Sequence, residues 1–361
     1  MREKIMLLEQ IFENYPKNSN KIHRKLSLNL PKKALIFGAP FLGKNDYVLH
    51  YFNQKDKIDL KKLYIDLEDI RFNNLDFLKD LNDFCAKTKI DSLIINHYSP
   101  TLLPPSYLPK LENIILISNI YYSIPSFTTL GFPPILFNEF MQLFKGQIQE
   151  VFHQYLKKGT LYEENFEENK GNLLKILSKD ITELWIFKNL ILSSGLKVSP
   201  HQIYTKLKKE GKISKDRFYN FINTLKEQNM LFWVRKFEHA LAPKKLYFWD
   251  FSLKNSLSFQ KDFSTLFENM VFLELYARFK DEIFYTDKID FYIPALSLGI
   301  LCMPFIQNLE TKLSKITKER EFCESFLILS LSQKEKGENL GTPYTILPFS
   351  EFAFETFIEF C

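Results

Sequence analysis

The stretch ALIFGAPFLGKNDYVLHYF, residues 34–52, decides how the chain is read. A short apolar run, ALIFG (34–38), predicts a strand, and a helix is predicted from Asn45 to about Phe52. Between them Gly38, Ala39, Pro40, Phe41, Leu42, Gly43 and Lys44 fit the pattern G-x-x-x-x-G-K. Glycines let the backbone curl until its N–H groups face phosphate oxygens, and the helix N-terminus adds a positive dipole. A lysine at the end of such a turn reaches the outer phosphates. The alternative is an ordinary strand-to-helix turn carrying an exposed lysine. Scarcity gives these glycines weight: the chain has 11 in 361 residues, well under the usual share of about 7%.

The groups that handle a metal are weaker. Ser or Thr normally follows the lysine and ligates Mg²⁺. Here the residue is Asn45, with Asp46 beside it as a partial substitute. The third strand, SLIIN (92–96), ends in Asn96-His97 where acidic residues are expected. Neutral amides serve a hard divalent cation poorly. The sequence therefore points to ATP or ADP as ligand, with Mg²⁺ doubtful and hydrolysis weak or absent.

Outward from the loop, LYIDL (63–67), SLIIN (92–96) and NIILIS (113–118) are further apolar strands, and LDFLKDLNDFCAKT (75–88) has helical spacing. Strands alternating with helices predict a doubly wound parallel α/β sheet. PILFN (134–138) is read as one more strand, leading into a helix near Glu139. The acidic stretch KKGTLYEENFEENKG (157–171) leaves this domain. Then come ELWIFKNLILSS (183–194), a helix opened by Ser199-Pro200, a third capped by Ser214, and two strands, MLFWVRKF (230–237) and KLYFWD (245–250). Three helices and a hairpin in that order form the winged-helix pattern. STLFENMVFLELYARFK (264–280) opens a final α/β domain with strands at EIFYT, KIDFYI, LGILCM and SFLILSLS, closed by YTILPFSEFAFETFIEF. The expected domains are 1–150, a helical connector 151–182, 183–255 and 256–361.

The order of these motifs resembles a family of prokaryotic AAA-type ATPases whose C-terminal half is a domain of unknown function. The segments that carry the resemblance are LYIDLED (63–69), IILISN (114–119) as sensor strand, PPILFNEFMQL (133–143), and YLKKGTLYE (155–163) as a glycine turn. KKLYFWDFSL (244–253), FENMVFLEL (267–275), KIDFYI (288–293) and TPYTILPFSEF (342–352) continue it. The resemblance implies an AAA-type core, a winged helix and a restriction-endonuclease-like C-terminal domain. It places Glu268 and Asp290 at two acidic positions of the nuclease fold. The strand expected to carry E-x-K reads PFIQN (304–308), with Ile306 and Asn308 where Glu and Lys belong. Glu268 and Asp290 are then vestigial positions, or simply polar structural residues.

The net charge of +5 is uneven: Trp185 to Lys254 holds 14 Lys/Arg against 5 Asp/Glu. A basic winged helix suggests DNA or RNA through Lys215, Arg217 and Lys226 on its third helix and Arg235 and Lys236 near the wing. A solvated lysine face, or a protein partner, is the other reading. IPALSLGILCMPFI (293–306) is too short to cross a bilayer. The N-terminus reads as an amphipathic helix, and the four cysteines lack any C-x-x-C pair. Those features fit reduced thiols in the cytoplasm and give no metal cluster. Two functions remain: a nucleotide-binding AAA-type protein with the nucleotide as structural or switching ligand, or a non-enzymatic nucleic-acid- or protein-binding module.

Overall fold

The structure is a computed structural model describing residues 2–16, 24–26, 28–54, 59–72, 74–162, 170–316, 321–339 and 341–354. The acidic residues 163–169 and residues 355–361, the end of the segment expected to close the chain, lie outside the described residues. The chain divides into two compact units, Met1–Pro133 and Pro134–Cys361.

The first unit contains α1 (Arg2–Glu13), β1 (Lys33–Phe37), α2 (Lys44–Phe52), β2 (Lys62–Asp66), α3 (Leu81–Thr88), β3 (Ser92–Asn96), β4 (Asn113–Ser118) and β5 (Thr128–Gly131). The five strands form a parallel sheet in the order β2-β3-β4-β1-β5. Leu35, Leu63, Ile65, Leu93, Ile95 and Leu116 are buried on one face with Leu8, Phe77 and Leu81. Ala34, Ile36, Ile94 and Ile115, which alternate with them, are buried as well, so both faces are covered. This is why the strands read as unbroken apolar runs.

The fifth strand is a correction. PILFN (134–138) is not a strand; TTLG (128–131) pairs with β1 instead. Pro133 and Pro134 have no N–H to give a ladder, and the chain turns helical at Phe137. TTLG escapes an apolar reading because it is a half-exposed edge strand.

The second unit runs through α4 (Phe137–Leu143), α5 (Ile148–Lys158), α6 (Lys170–Ile176), α7 (Ile181–Leu192), β6 (Lys197–Val198), α8 (Pro200–Glu210) and α9 (Lys215–Glu227). It continues with β7 (Leu231–Lys236), β8 (Lys244–Phe248), α10 (Leu253–Leu257), α11 (Phe263–Phe279), β9 (Phe284–Tyr285) and β10 (Phe291–Ile293). β11 (Leu298–Cys302), α12 (Leu309–Ser314), β12 (Ser325–Ser330), β13 (Glu335–Asn339), β14 (Thr342–Pro348) and α13 (Phe349–Phe352) complete it. The helix starts follow their caps: Asp180 caps α7, Ser199 and Gln202 form a capping box on α8, and Ser214 caps α9.

Nine strands form one mixed sheet, β13-β14-β12-β11-β10-β9-β7-β8-β6. The hairpin β7–β8 thus joins the C-terminal strands through β9, where Arg235 and Lys236 pair with Phe284 and Tyr285. α11 is tied to β8 of the hairpin. Asn269 accepts from the Phe248 N–H and donates to the Phe248 carbonyl, both at 2.9 Å. PFIQN (304–308) is also not a strand; the segment antiparallel to β10 is β11, Leu298–Cys302. Pro304 breaks the ladder just after it. β11 carries neither an acid nor a lysine.

Candidate functional site

At the carboxyl ends of β1 and β4, neighbours in the sheet, the chain leaves in opposite directions: from β1 toward β2, from β4 across to β5. Such a switch point opens a crevice in α/β sheets. Residues 38–43 lie at this point. Phe41 and Gly43 both adopt left-handed backbone, with φ of 60° and 79°. A left-handed Phe is a local strain of about 1 kcal/mol, and it turns the loop so that α2 begins without any side-chain cap. Gly38 faces Phe132 so closely that a Cβ would stand 2.6 Å from the Phe132 carbonyl oxygen. These are the positions where glycine is structurally required.

Lys44 is buried, which removes the reading of an exposed lysine on an ordinary turn. Its ammonium folds back into the loop. It donates to the Gly38 carbonyl at 2.9 Å, the Ala39 carbonyl at 2.7 Å and Asn119 Oδ1 at 2.9 Å. Three acceptors use all three donors of an ammonium. Asn119 follows β4, the strand read as a sensor, so the loop lysine and the sensor amide meet. Burial, and then the charge of Arg24, pull the Lys44 pKa down to about 7.

Arg24 carries no local sequence signal. It is buried behind the loop, donating to the Leu42 carbonyl at 2.5 Å and the Pro133 carbonyl at 3.1 Å, with its guanidinium over Phe132. It braces the loop from the N-terminal connection. Asn45 Oδ1 is buried with no hydrogen-bond partner among the described residues.

The missing acid of β3 has a neighbour. Asp66 ends β2 in register with Asn96. Asn96 Nδ2 donates to Asp66 Oδ2 at 3.0 Å, and His97 Nδ1 lies 2.6 Å from Oδ1, which also accepts the Glu68 N–H. Burial raises the Asp66 pKa, but the His97 bond and the Glu68 N–H outweigh it and hold the carboxyl below its usual range. The bond to Asp66 raises His97 in turn. A carboxylate therefore stands at this end of the sheet, one strand over from where it was sought, with both oxygens engaged.

In the second unit the structure brings Glu268 and Asp290 together around a lysine the sequence did not single out. Lys245 Nζ donates to Glu268 Oε1 at 2.8 Å and Asp290 Oδ1 at 3.3 Å. The Tyr247 hydroxyl also donates to Glu268 Oε1, and Asp290 Oδ2 accepts the Cys302 N–H at 2.9 Å. Burial lowers the Lys245 pKa, but the two carboxylates outweigh it and raise it. The donor set does not fit Mg²⁺: the ammonium takes the space between the two acids, and no third acid faces them on β11.

Lys245→Met is expected to destabilise this unit by about 3–5 kcal/mol at pH 7, because two carboxylates lose the cation that bridges them. The Glu268 pKa is already raised, chiefly by burial, and losing Lys245 raises it further. The folded variant then holds more protons than the unfolded chain above about pH 4.3, so its deficit should shrink as pH falls from 7 toward 5. Urea melts of both proteins at three pH values check this. A deficit independent of pH would refute it.

The five basic candidates separate. Arg217 is tied to Asp180, and Lys236 to Asp287 at 2.8 Å. Lys215 lies over the Tyr219 ring, on the far end of α9 from Lys226. Lys226 and Arg235 line one cavity.

A scan against protein-family models finds no match. An uncharacterized protein of Methanocaldococcus jannaschii is 23% identical over 88% of this chain and 84% of its own length. Among solved structures, a Walker-type ATPase of Pyrococcus abyssi is 12% identical and covers 71% of this chain and 94% of its own, with a TM-score of 0.37. The Orc1 protein of Aeropyrum pernix, solved in complex with DNA, is 10% identical over 71% of this chain and 91% of its own, with a TM-score of 0.30. No helix among the described residues is long and apolar enough to cross a membrane.

Proposed function

We propose that the chain is an AAA-type nucleotide-binding protein whose loop Gly38–Asp46 holds ATP or ADP. The nucleotide acts as a structural or switching ligand, and hydrolysis is weak or absent. The observation that carries the reading is the Lys44 ammonium, buried in its own loop on two backbone carbonyls and a sensor-strand amide. A polyphosphate offers that ammonium charged acceptors in exchange for neutral ones, and α2 offers an uncapped N-terminus. For Mg²⁺ the donors are few. Asn45 Oδ1 offers one neutral amide oxygen without a hydrogen-bond partner among the described residues, a poor ligand alone, while Asp66 is occupied by His97 and Asn96. That imbalance supports binding over turnover.

Binding of a fluorescent ATP analogue tests the site. Lys44→Ala should weaken it about 10- to 100-fold, the worth of a charge-assisted hydrogen bond, and Mg²⁺-dependent phosphate release should stay near background in both proteins. Equal affinity of wild type and variant would sink the reading.

In the same proposal α7–α9 with β7–β8 form a winged helix and the C-terminal strands a restriction-endonuclease-like fold without its cleavage chemistry. Supporting this are the capped helix order and the Glu268–Asp290 pair bridged by Lys245. The alternative function, a module that binds nucleic acid through the third helix, is weakened by the engagement of Arg217 and Lys236.

A further inference from the structure

Strand β7 is paired unequally. Along Leu231–Val234 it bonds β8 on one edge, whereas β9 covers its other edge only at Arg235 and Lys236. The uncovered edge opens on a cavity of about 510 Å³. Its charged walls come from three places: Lys226 at the end of α9, Arg235 and Lys244 on the hairpin, and Lys280 just past α11. Asp281 is the one acid lining it. None of the four cations is in an ion pair with an acid among the described residues, unlike Arg217 and Lys236 nearby.

Aromatic side chains line it as well, beside Asn229, Leu231, Val234 and Ile283. Trp233 is half-buried and lies two residues from Arg235 on the same strand, so the two side chains share a face about 7 Å apart. Tyr276 packs on Phe232 at 4.6 Å between ring centres. Arg235 lies over the Phe284 ring and Lys280 over the Tyr276 ring, each at 5.3 Å, so cations without an acid partner and aromatic side chains line the cavity together, Trp233 among them.

We infer that this groove binds single-stranded nucleic acid, its phosphates on Lys226, Arg235, Lys244 and Lys280 and a base stacked on Trp233. Duplex hides its base faces, and the Asp and Glu side chains of an acidic peptide have no ring to lay on an indole. Single strands present both a charged backbone and free π-faces, the pairing that such sites recognise. The site is separate from the phosphate loop and does not rest on the nucleotide reading.

The test is fluorescence anisotropy of a labelled single-stranded thymidine oligonucleotide with the full chain at several salt concentrations. Four phosphate contacts predict an affinity that falls about 50-fold between roughly 50 and 200 mM salt, a log–log slope near −3. Replacing the four cations by Gln should remove most of the affinity and flatten that slope. Trp233→Ala should weaken binding by about 5- to 150-fold with the slope kept, since it removes stacking and no charge. Trp fluorescence should fall on binding, and the fall should be lost in Trp233→Ala, which keeps Trp185 and Trp249. Lys44→Ala should bind the oligonucleotide as wild type does. Undiminished binding by the four-cation variant, no effect of Trp233→Ala, or displacement of the oligonucleotide by duplex or polyglutamate as readily as by unlabelled single strand would overturn the inference.

Discussion

Asp250→Ala is expected to destabilise the C-terminal unit by about 3–5 kcal/mol, the cost of leaving a buried charge without its partner. Asp250 and Lys170 have side chains 0% and 2% exposed and meet at 2.6 Å. The Lys170 ammonium also donates to the Lys158 carbonyl at 2.7 Å and to Ser252 Oγ. The other carboxylate oxygen accepts the Thr160 N–H at 3.3 Å, the Ser252 N–H at 3.1 Å and the Ser252 hydroxyl at 3.0 Å. The turn at Gly159 is moulded over this pair: it is left-handed, at φ 77°, and a Cβ there would lie 2.1 Å from Asp250 Oδ1. One carboxylate thus ties the end of α5, the start of α6 and the exit from β8. At roughly 2–4 °C per kcal/mol for a body of this size, melting should fall by about 10 °C. The double change Lys170→Met with Asp250→Leu should recover much of the loss, because it strands no charge. Calorimetry of the three proteins decides; a single variant within about 1 kcal/mol of wild type would show that the pair carries no such weight.

The same cluster shows what the sequence could and could not tell. Gly159 and the segment KKLYFWDFSL stood out separately, one as a glycine turn and the other as a strand ending in an acid. That the turn closes on Asp250 depends on packing between positions some 90 residues apart, which no local pattern encodes. Strands β1 to β4 were legible because they are buried on both faces and read as apolar runs. TTLG and EKGEN, the strands β5 and β13, were not, since edge strands keep polar side chains. The phosphate loop was legible because its glycines are spaced for a backbone need. How it is supported was not: Arg24 comes from a stretch without signal, and the meeting of Lys44 with Asn119 of the sensor segment depends on β4 pairing with β1. Lys245 was invisible for a related reason. A lysine in a basic hairpin looks solvated until the fold sets it between Glu268 and Asp290.

Nucleotide affinity should fall steeply with rising pH, and the cause lies in Lys44. With its pKa near 7 in the free protein, the side chain loses its proton through the range where lysines are normally charged. A bound polyphosphate supplies anionic acceptors and returns the pKa toward the ordinary lysine value of about 10.4. Above pH 7, then, the complex holds one more proton than the free protein. Binding must take that proton up, so each pH unit costs close to a factor of ten in affinity until the bound pKa is reached. Between about pH 7.5 and 9.5 the phosphates are fully ionised and contribute no slope, so a fall approaching 100-fold belongs to the protein. Burial is the larger cause of the Lys44 shift, and the neighbouring Arg24 charge adds to it. His97, whose pKa is also raised, needs the control His97→Gln, which should leave the slope in place. Titration calorimetry in buffers of different ionisation heat should register about one proton taken up at pH 8.5 in wild type and none in Lys44→Met. A flat affinity across that range, with no proton uptake, would mean that the ammonium stays charged in the free loop and that its three neutral acceptors outweigh burial.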